Sequence, residues 1–241
     1  MTDHKLSDET RTLLKNVSTA SLCTALYKRG LRNQFVQGVV PVSQKTERMV
    51  GPAFTLRYIP AREDRNGIEV FRNADHPQRA AIETCPSGHV LVMDSRKDAR
   101  AASAGSILVM RLMQRGGAGV VTDGGFRDAE GIAALDIPAF YQRPSAPTNL
   151  TLHEAIDLNV PIACGDAPVF PGDVIVGDSD GVVVVPAHLA AELAVECAGM
   201  EDFENFVQEE VMKGRPIIGL YPPTSEEVQA DYQAWRKKTG R

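Results

Sequence analysis

The chain has 241 residues, 43% hydrophobic and 24% charged, which suits one large folded core and lies far from disordered compositions. A formal net charge of −5 speaks against nucleic acid as the main partner, because phosphate binding needs a basic surface. No apolar run approaches the roughly 18 residues of a membrane span, and Met1-Thr2-Asp3-His4-Lys5 has no leader-like apolar stretch behind it, so a soluble cytoplasmic protein is expected.

Residues 7–30 place Leu13, Leu14, Val17, Leu22, Ala25 and Leu26 at helical spacings, with Ser7 as a cap and Gly30 as a stop. A second start at Ser18 or Thr19 splits the stretch into two helices. Residues 50–59 read as a strand, and the polar segment 61–79 as a loop or short helix whose Arg and Asp content makes it a candidate lid. From residue 88 the rhythm is regular: strand 89–94, helix 105–115, strand 119–123, short helix 129–135, strand 137–141. Strands apolar throughout, alternating with helices, predict a parallel sheet covered on both faces. Strands then follow at 160–164, 173–177 and 181–186, and the Asp178-Ser179-Asp180-Gly181 turn predicts an antiparallel hairpin or a barrel-like second sheet. A long amphipathic helix covers 188–213, and an arm with a short helix reaches Trp235. The whole, 1–241, reads as one domain with its core at about 17–190 and the helix and arm at 188–241. Cys23, Cys85, Cys164 and Cys197 are scattered without a CxxC pair, which predicts reduced thiols that pack rather than a zinc site or disulfide frame.

Chemistry concentrates at Asp123-Gly124-Gly125-Phe126-Arg127-Asp128. Ligands of parallel α/β sheets bind beyond the carboxyl ends of strands, where Asp94 and Asp123 are both expected. Two glycines permit a tight turn and close backbone approach. Asp128 is a hard oxygen donor suited to Mg²⁺ or Mn²⁺, and Arg127 offers a planar fork for a carboxylate or enolate oxygen. The small-residue run ending at Gly105 opens a helix whose free N–H groups form an anion site without a cationic side chain. Alone, each piece is an ordinary turn, surface pair or helix start; their conjunction at neighbouring strand ends predicts a site for a small 2-oxo acid.

These residues resemble the family of the regulator of ribonuclease activity A and the class II 4-hydroxy-4-methyl-2-oxoglutarate/4-carboxy-4-hydroxy-2-oxoadipate aldolases. The resemblance is carried by Gly105, by Arg115-Gly116, and by Ala118 through the Asp123–Asp128 turn. Supporting stretches start at Ser18, at Val50-Gly51-Pro52, and at Pro171-Gly172-Asp173, the last running on to Pro186. The resemblance implies an α/β fold, an α-β-β-α sandwich of the swivelling phosphohistidine-domain type, assembled as homotrimers or homohexamers with sites between subunits. It implies that Asp128 holds the metal, that Arg127 binds the pyruvyl group, and that the amides of Gly105, Ser106, Ile107 and Leu108 hold the substrate carboxylate. Two positions depart from the aldolase pattern: Ser106 and Thr24 stand where acids are usual. The expected reaction is a metal-dependent retro-aldol cleavage of a 4-hydroxy-2-oxo acid that releases pyruvate, with oxaloacetate decarboxylation as a side activity. Glu204 on the long helix, from the same or a neighbouring subunit, is the candidate base by alignment with the family, and Glu201 the alternate. Two other readings are a decarboxylase or dehydratase of a 2-keto-3-deoxy sugar acid, and a non-catalytic regulator of a ribonuclease.

Overall fold

The computed structural model describes residues 6–43 and 47–240. The N-terminal stretch does divide: α1 spans Asp8–Leu14 and α2 spans Thr19–Lys28. Ser7 Oγ accepts the Thr10 amide at 3.1 Å and Ser18 Oγ accepts the Ser21 amide at 3.1 Å, so each helix has its own cap. The other helices are α3 (Pro77–Thr84), α4 (Ser106–Gln114), α5 (Ala129–Ala133), α6 (Ala190–Met212) and α7 (Glu226–Thr239).

The strands are β1 (Val40–Pro41), β2 (Met49–Pro60), β3 (Val90–Asp94), β4 (Ala102–Ala104), β5 (Gly119–Thr122), β6 (Gly125–Phe126), β7 (Ala139–Tyr141) and β8 (Arg143–Pro144). Five follow: β9 (His153–Leu158), β10 (Ile162–Cys164), β11 (Ala167–Val169), β12 (Val174–Asp178) and β13 (Gly181–Val185). The main sheet runs β1-β7-β5-β3-β2-β12-β13, with β9 on the outer half of β2. Strands β7, β5, β3 and β2 are parallel, as their unbroken apolar runs require. The β12–β13 hairpin is antiparallel, as its turn predicts, but it does not start a second sheet: Val174–Gly177 pair with Pro52–Met49 at the start of β2.

The alternation of side chains shows how the sheet curls. Leu91 and Met93 join one cluster with Ile82, Val109, Leu112 and Ile132 from α3, α4 and α5. Val90 and Val92 face the other way, into a cluster with Ile175, Val182 and Val184 of the hairpin. Val174, Val176, Val183 and Val185 turn outward again, onto Leu22, Leu26 and Leu193 of α2 and α6. The middle cluster is the interior of a mixed α/β, nearly closed barrel whose terminal strands β1 and β13 approach each other.

The long helix is not amphipathic in a single sense. Leu193, Ala194 and Cys197 pack on the barrel, whereas Phe206 and Val207 pack on Leu220, Val228 and Trp235 of the arm. At 3.6 residues per turn these two sets lie on different sides of α6. No helix among the described residues is long and apolar enough to cross a membrane, and the four cysteines carry no disulfide.

Candidate active site

The turn after β5 is built by small residues and buried polar groups. Thr122 Oγ1 accepts the Gly124 amide at 3.0 Å and meets Ser103 Oγ at 2.6 Å, which in turn meets Ser95 Oγ at 2.7 Å. A Cβ on Gly124 would lie 2.6 Å from Ser95 Cβ, and one on Gly125 2.6 Å from Ser145 Cβ, so both positions need glycine for close approach. Strand β6 then pairs with β4 and β8, burying Phe126 completely and delivering Arg127 and Asp128 to the surface side by side. The Arg127 amide donates to Ala104 O at 3.0 Å. Asp128 adopts the left-handed conformation, φ 55° and ψ 40°, and begins α5.

Gly105 is the neighbour that makes this pair possible. A Cβ there would lie 2.8 Å from Arg127 Cγ and 2.9 Å from Asp128 Oδ2. The two charged side chains are about half exposed and touch at one point, Nε to Oδ2, at 3.6 Å. Asp128 Oδ2 also meets the Ser106 amide and hydroxyl, each at 3.4 Å, too long for strong bonds. Side chains held this loosely remain available to a ligand. Arg127, Asp128, Gly105, Ile107 and Leu108 all line one cavity of about 210 Å³ at the carboxyl ends of β4 and β6. Ser106 adjoins it through its contact with Asp128.

Several expectations need correction. Asp123 and Asp94 sit at strand ends as expected, but both are engaged in structure. Asp123, almost fully buried, accepts the amides of Ser95 (2.7 Å), Lys97 (3.1 Å) and Gly165 (3.1 Å), and burial pushes its carboxyl up to about 6. Asp94 accepts the amides of Arg96 and Ala163 at 2.9 and 3.4 Å. The Leu108 amide is already spent on Gly105 O at 3.1 Å, which leaves Ile107 as an open amide of the α4 start and Ser106 as one held only weakly, by Asp128 at 3.4 Å. Glu204 is not in this cavity; it lies on α6 and accepts the Tyr221 hydroxyl at 2.8 Å. Glu201 accepts the Ser18 amide at 2.8 Å and the Ser21 hydroxyl at 2.9 Å, which makes it a cap for α2. Thr24 lies elsewhere too, beside Tyr27 and Phe35.

The cavity also holds residues that sequence reasoning missed. Phe71 and Arg79, both from the segment 61–79, form one wall, with Arg79 stacked 4.6 Å over the Phe71 ring. Thr148 and Asn149 form another, contributed by the loop after β8. Their positions, 56 and 48 residues before Arg127 and 21 and 22 after it, follow no local pattern; the arginine content of the 61–79 segment was the only signal.

Asp128 is the sole carboxylate of the cavity wall, and no cluster of three or more His, Cys, Asp or Glu occurs among the described residues. A single, partly exposed carboxylate fits Mg²⁺ or Mn²⁺, which keep most of their waters. It does not fit zinc, which takes three or four protein ligands.

The chain is similar to known proteins over most of its length. The sequence profile of the Aldolase/RraA family, RraA-like, matches residues 19–184. A Halalkalibacterium halodurans protein named "Putative 4-hydroxy-4-methyl-2-oxoglutarate aldolase" is 33% identical over 175 residues, covering 73% of this chain and 75% of its own. The crystal structure of Streptomyces coelicolor RraAS2, described as an unusual member of the RNase ES inhibitor RraA protein family, matches with a TM-score of 0.74. Its identity is 30%, over 85% of this chain and 98% of that one. An uncharacterized protein from Pseudomonas syringae pv. tomato matches with a TM-score of 0.75 at 26% identity, over 88% and 96%.

Proposed function

This chain belongs to the RraA-like, Aldolase/RraA family, and from that premise we propose that it is a divalent-metal-dependent lyase that cleaves a 4-hydroxy-2-oxo acid to release pyruvate. The observation that carries this reading is the half-exposed Arg127–Asp128 pair, held against Gly105 at the mouth of a cavity and loosely bonded to the protein.

Asp128 would hold Mg²⁺ or Mn²⁺, which supplies Lewis-acid polarisation of the 2-oxo group. The Ile107 amide and the weakly held Ser106 amide, at the positive end of α4, bind the substrate carboxylate. As the C3–C4 bond breaks, its electron pair passes towards the C2 oxygen while the C4 hydroxyl loses its proton and becomes a carbonyl. The Arg127 guanidinium, which lines the same cavity, would share the charge growing on that oxygen, which favours the transition state over the ground state. Protonation at C3 then gives pyruvate. Glu204 acts as the base only if a second copy of the chain brings it to the cavity, so this assignment requires a homo-oligomer, trimer or hexamer, with shared sites.

The test is pyruvate release from 4-hydroxy-4-methyl-2-oxoglutarate, with Mg²⁺ or Mn²⁺ and after chelation. Activity that disappears in EDTA and returns with metal is expected, with slower decarboxylation of oxaloacetate, which passes through the same enolate. Full activity in excess EDTA rules out the metal, and no pyruvate under any condition rules out the lyase. The second reading, a regulator of a ribonuclease, is favoured by the likeness to RraAS2 and by Ser106 standing beside Asp128 in place of an acid. It predicts ribonuclease inhibition that is indifferent to chelator.

A further inference from the structure

Asp128 stands at the start of α5 yet caps nothing. An aspartate in that position ordinarily accepts an amide from the first turn of its helix, but the Asp128 side chain makes no such bond. In an extended chain, successive side chains point to opposite faces, so neighbours in sequence do not meet. The left-handed backbone of Asp128, φ 55°, breaks that alternation, and its carboxylate comes back beside the residue before it.

That residue is a cation. Arg127 Nε lies 3.6 Å from Asp128 Oδ2, and neither side chain has another ion-pair partner among the described residues. The contact is a single long one, without the two parallel bonds that make arginine–carboxylate pairs strong. Gly105 keeps the two charges together: Arg127 Cγ and Cδ and Asp128 Oδ2 all lie within 3.1 Å of where a Cβ at 105 would stand.

A pair of this kind governs the affinity of both ligands. A dication on the carboxylate is repelled by the guanidinium, and an anion on the guanidinium is repelled by the carboxylate. Each member of the pair therefore weakens binding to the other. When dication and anion are bound together, each takes one member, and both repulsions are neutralised.

We propose that Arg127 is the resident counter-ion of Asp128: it competes with the divalent metal for the carboxylate until the anion of a 2-oxo acid draws it away, so metal and 2-oxo acid bind cooperatively and each binds weakly alone. The inference rests on the reading of Asp128 as the metal ligand of a lyase. It gives Arg127 a second task, separate from sharing charge during the reaction. An arginine that served the 2-oxo acid alone would leave the affinity for metal in the absence of ligand untouched.

The test titrates the protein with Mn²⁺, following the paramagnetic resonance signal of the free ion, without and with saturating pyruvate. In the parent, pyruvate should tighten Mn²⁺ by about tenfold, and Mn²⁺ should tighten pyruvate, read by calorimetry, by the same factor, because such coupling is reciprocal. Arg127→Gln should bind Mn²⁺ alone about 3–10-fold more tightly than the parent, the range expected when a half-exposed charge is removed beside the ion. The coupling to pyruvate should shrink by at least that factor. Arg127→Lys, which keeps the charge, should keep the weak affinity for metal alone. Arg127→Met, neutral with its stem still against Gly105, decides the matter should Arg127→Gln fail to fold. Mn²⁺ affinity that is unchanged or weaker in the neutral variants, or that rises as much in Arg127→Lys, overturns the counter-ion and leaves the lyase reading intact. So does a parent whose Mn²⁺ affinity ignores pyruvate. No binding of Mn²⁺ to the parent under either condition overturns the metal-dependent lyase, and the counter-ion with it.

Discussion

Asp123 and Asp128 open and close the same six-residue turn, and their surroundings could hardly differ more. Asp123 is 1% exposed and accepts three backbone amides from two separate loops. Asp128 is half exposed and meets nothing closer than 3.4 Å. The first carboxylate has traded water for protein and fixes where the loops go. The second has kept its capacity to bind something else. The same contrast separates Asp94, bonded to amides, from Arg79 Nε and Asn149 Nδ2, which have no hydrogen-bond partner. Within this turn, the carboxylate satisfied by backbone amides belongs to the scaffold, and the loosely held one is left open to a ligand.

Substitutions that act on only one side of this contrast can break it. The largest effect is expected from Arg127→Ala. It should lower kcat by roughly 10²–10³, the loss typical of a removed oxyanion donor, with an unchanged melt, because the side chain serves ligand rather than core. Near-native kcat, or a collapsed melt, would place Arg127 on the scaffold side. Asp123→Asn should do the reverse, and its signature is in the pH dependence of stability. Burial raises the folded-state carboxyl from 3.8 to about 6, so the folded chain binds this proton more tightly than the unfolded one. The stability gained from that proton is full below about pH 4 and lost as pH rises through 6, amounting to about 3 kcal/mol. The asparagine cannot titrate. The parent should therefore gain on Asp123→Asn by about that amount between pH 7 and pH 4, as read by denaturant unfolding at each pH. A gap flat with pH refutes the assignment.

Smaller effects sharpen the picture at the junction. Gly105→Ala meets no backbone strain, since φ is −125°, but its Cβ would displace Arg127 Cγ and the Asp128 carboxylate. A loss of roughly tenfold in kcat/KM with an unaltered melt is expected, because sub-ångström misplacement of catalytic groups is costly. Ser106→Glu should tighten Mg²⁺ binding by a few fold, since a second carboxylate near Asp128 can hold the ion's waters. Unchanged affinity by calorimetry would show that position 106 does not face the metal.

Much of this fold was legible in the sequence because its signals are local. The caps at Ser7 and Ser18, the apolar strands 90–93 and 119–122, and the hairpin around Asp180-Gly181 each follow from a few adjacent residues. The Arg127–Asp128 pair was legible for the same reason. What escaped was set by tertiary contact. Nothing near residue 174 says that the hairpin will pair with β2 instead of forming its own sheet. Nothing near Glu201 distinguishes a solvated carboxylate from a cap for a helix some 180 residues earlier in the chain. Arg79 and Asn149 become members of one site only when α3 and the loop after β8 meet over α4.

The second apolar face of α6 has a consequence for how the protein is observed. Phe206, Val207, Leu220, Val228 and Trp235 form a cluster separate from the three that build the barrel, and Trp235 is the only tryptophan of the chain. Its indole donates to Glu209 at 2.9 Å, so its emission reports on this small outlying cluster. A subdomain of few buried contacts opens at lower free energy than the strands it flanks. Fluorescence would then follow the undocking of the C-terminal helix, while the loss of ellipticity would follow the barrel. The two curves would separate wherever α7 leaves first, and a midpoint read from tryptophan alone would understate the endurance of the fold that carries the site.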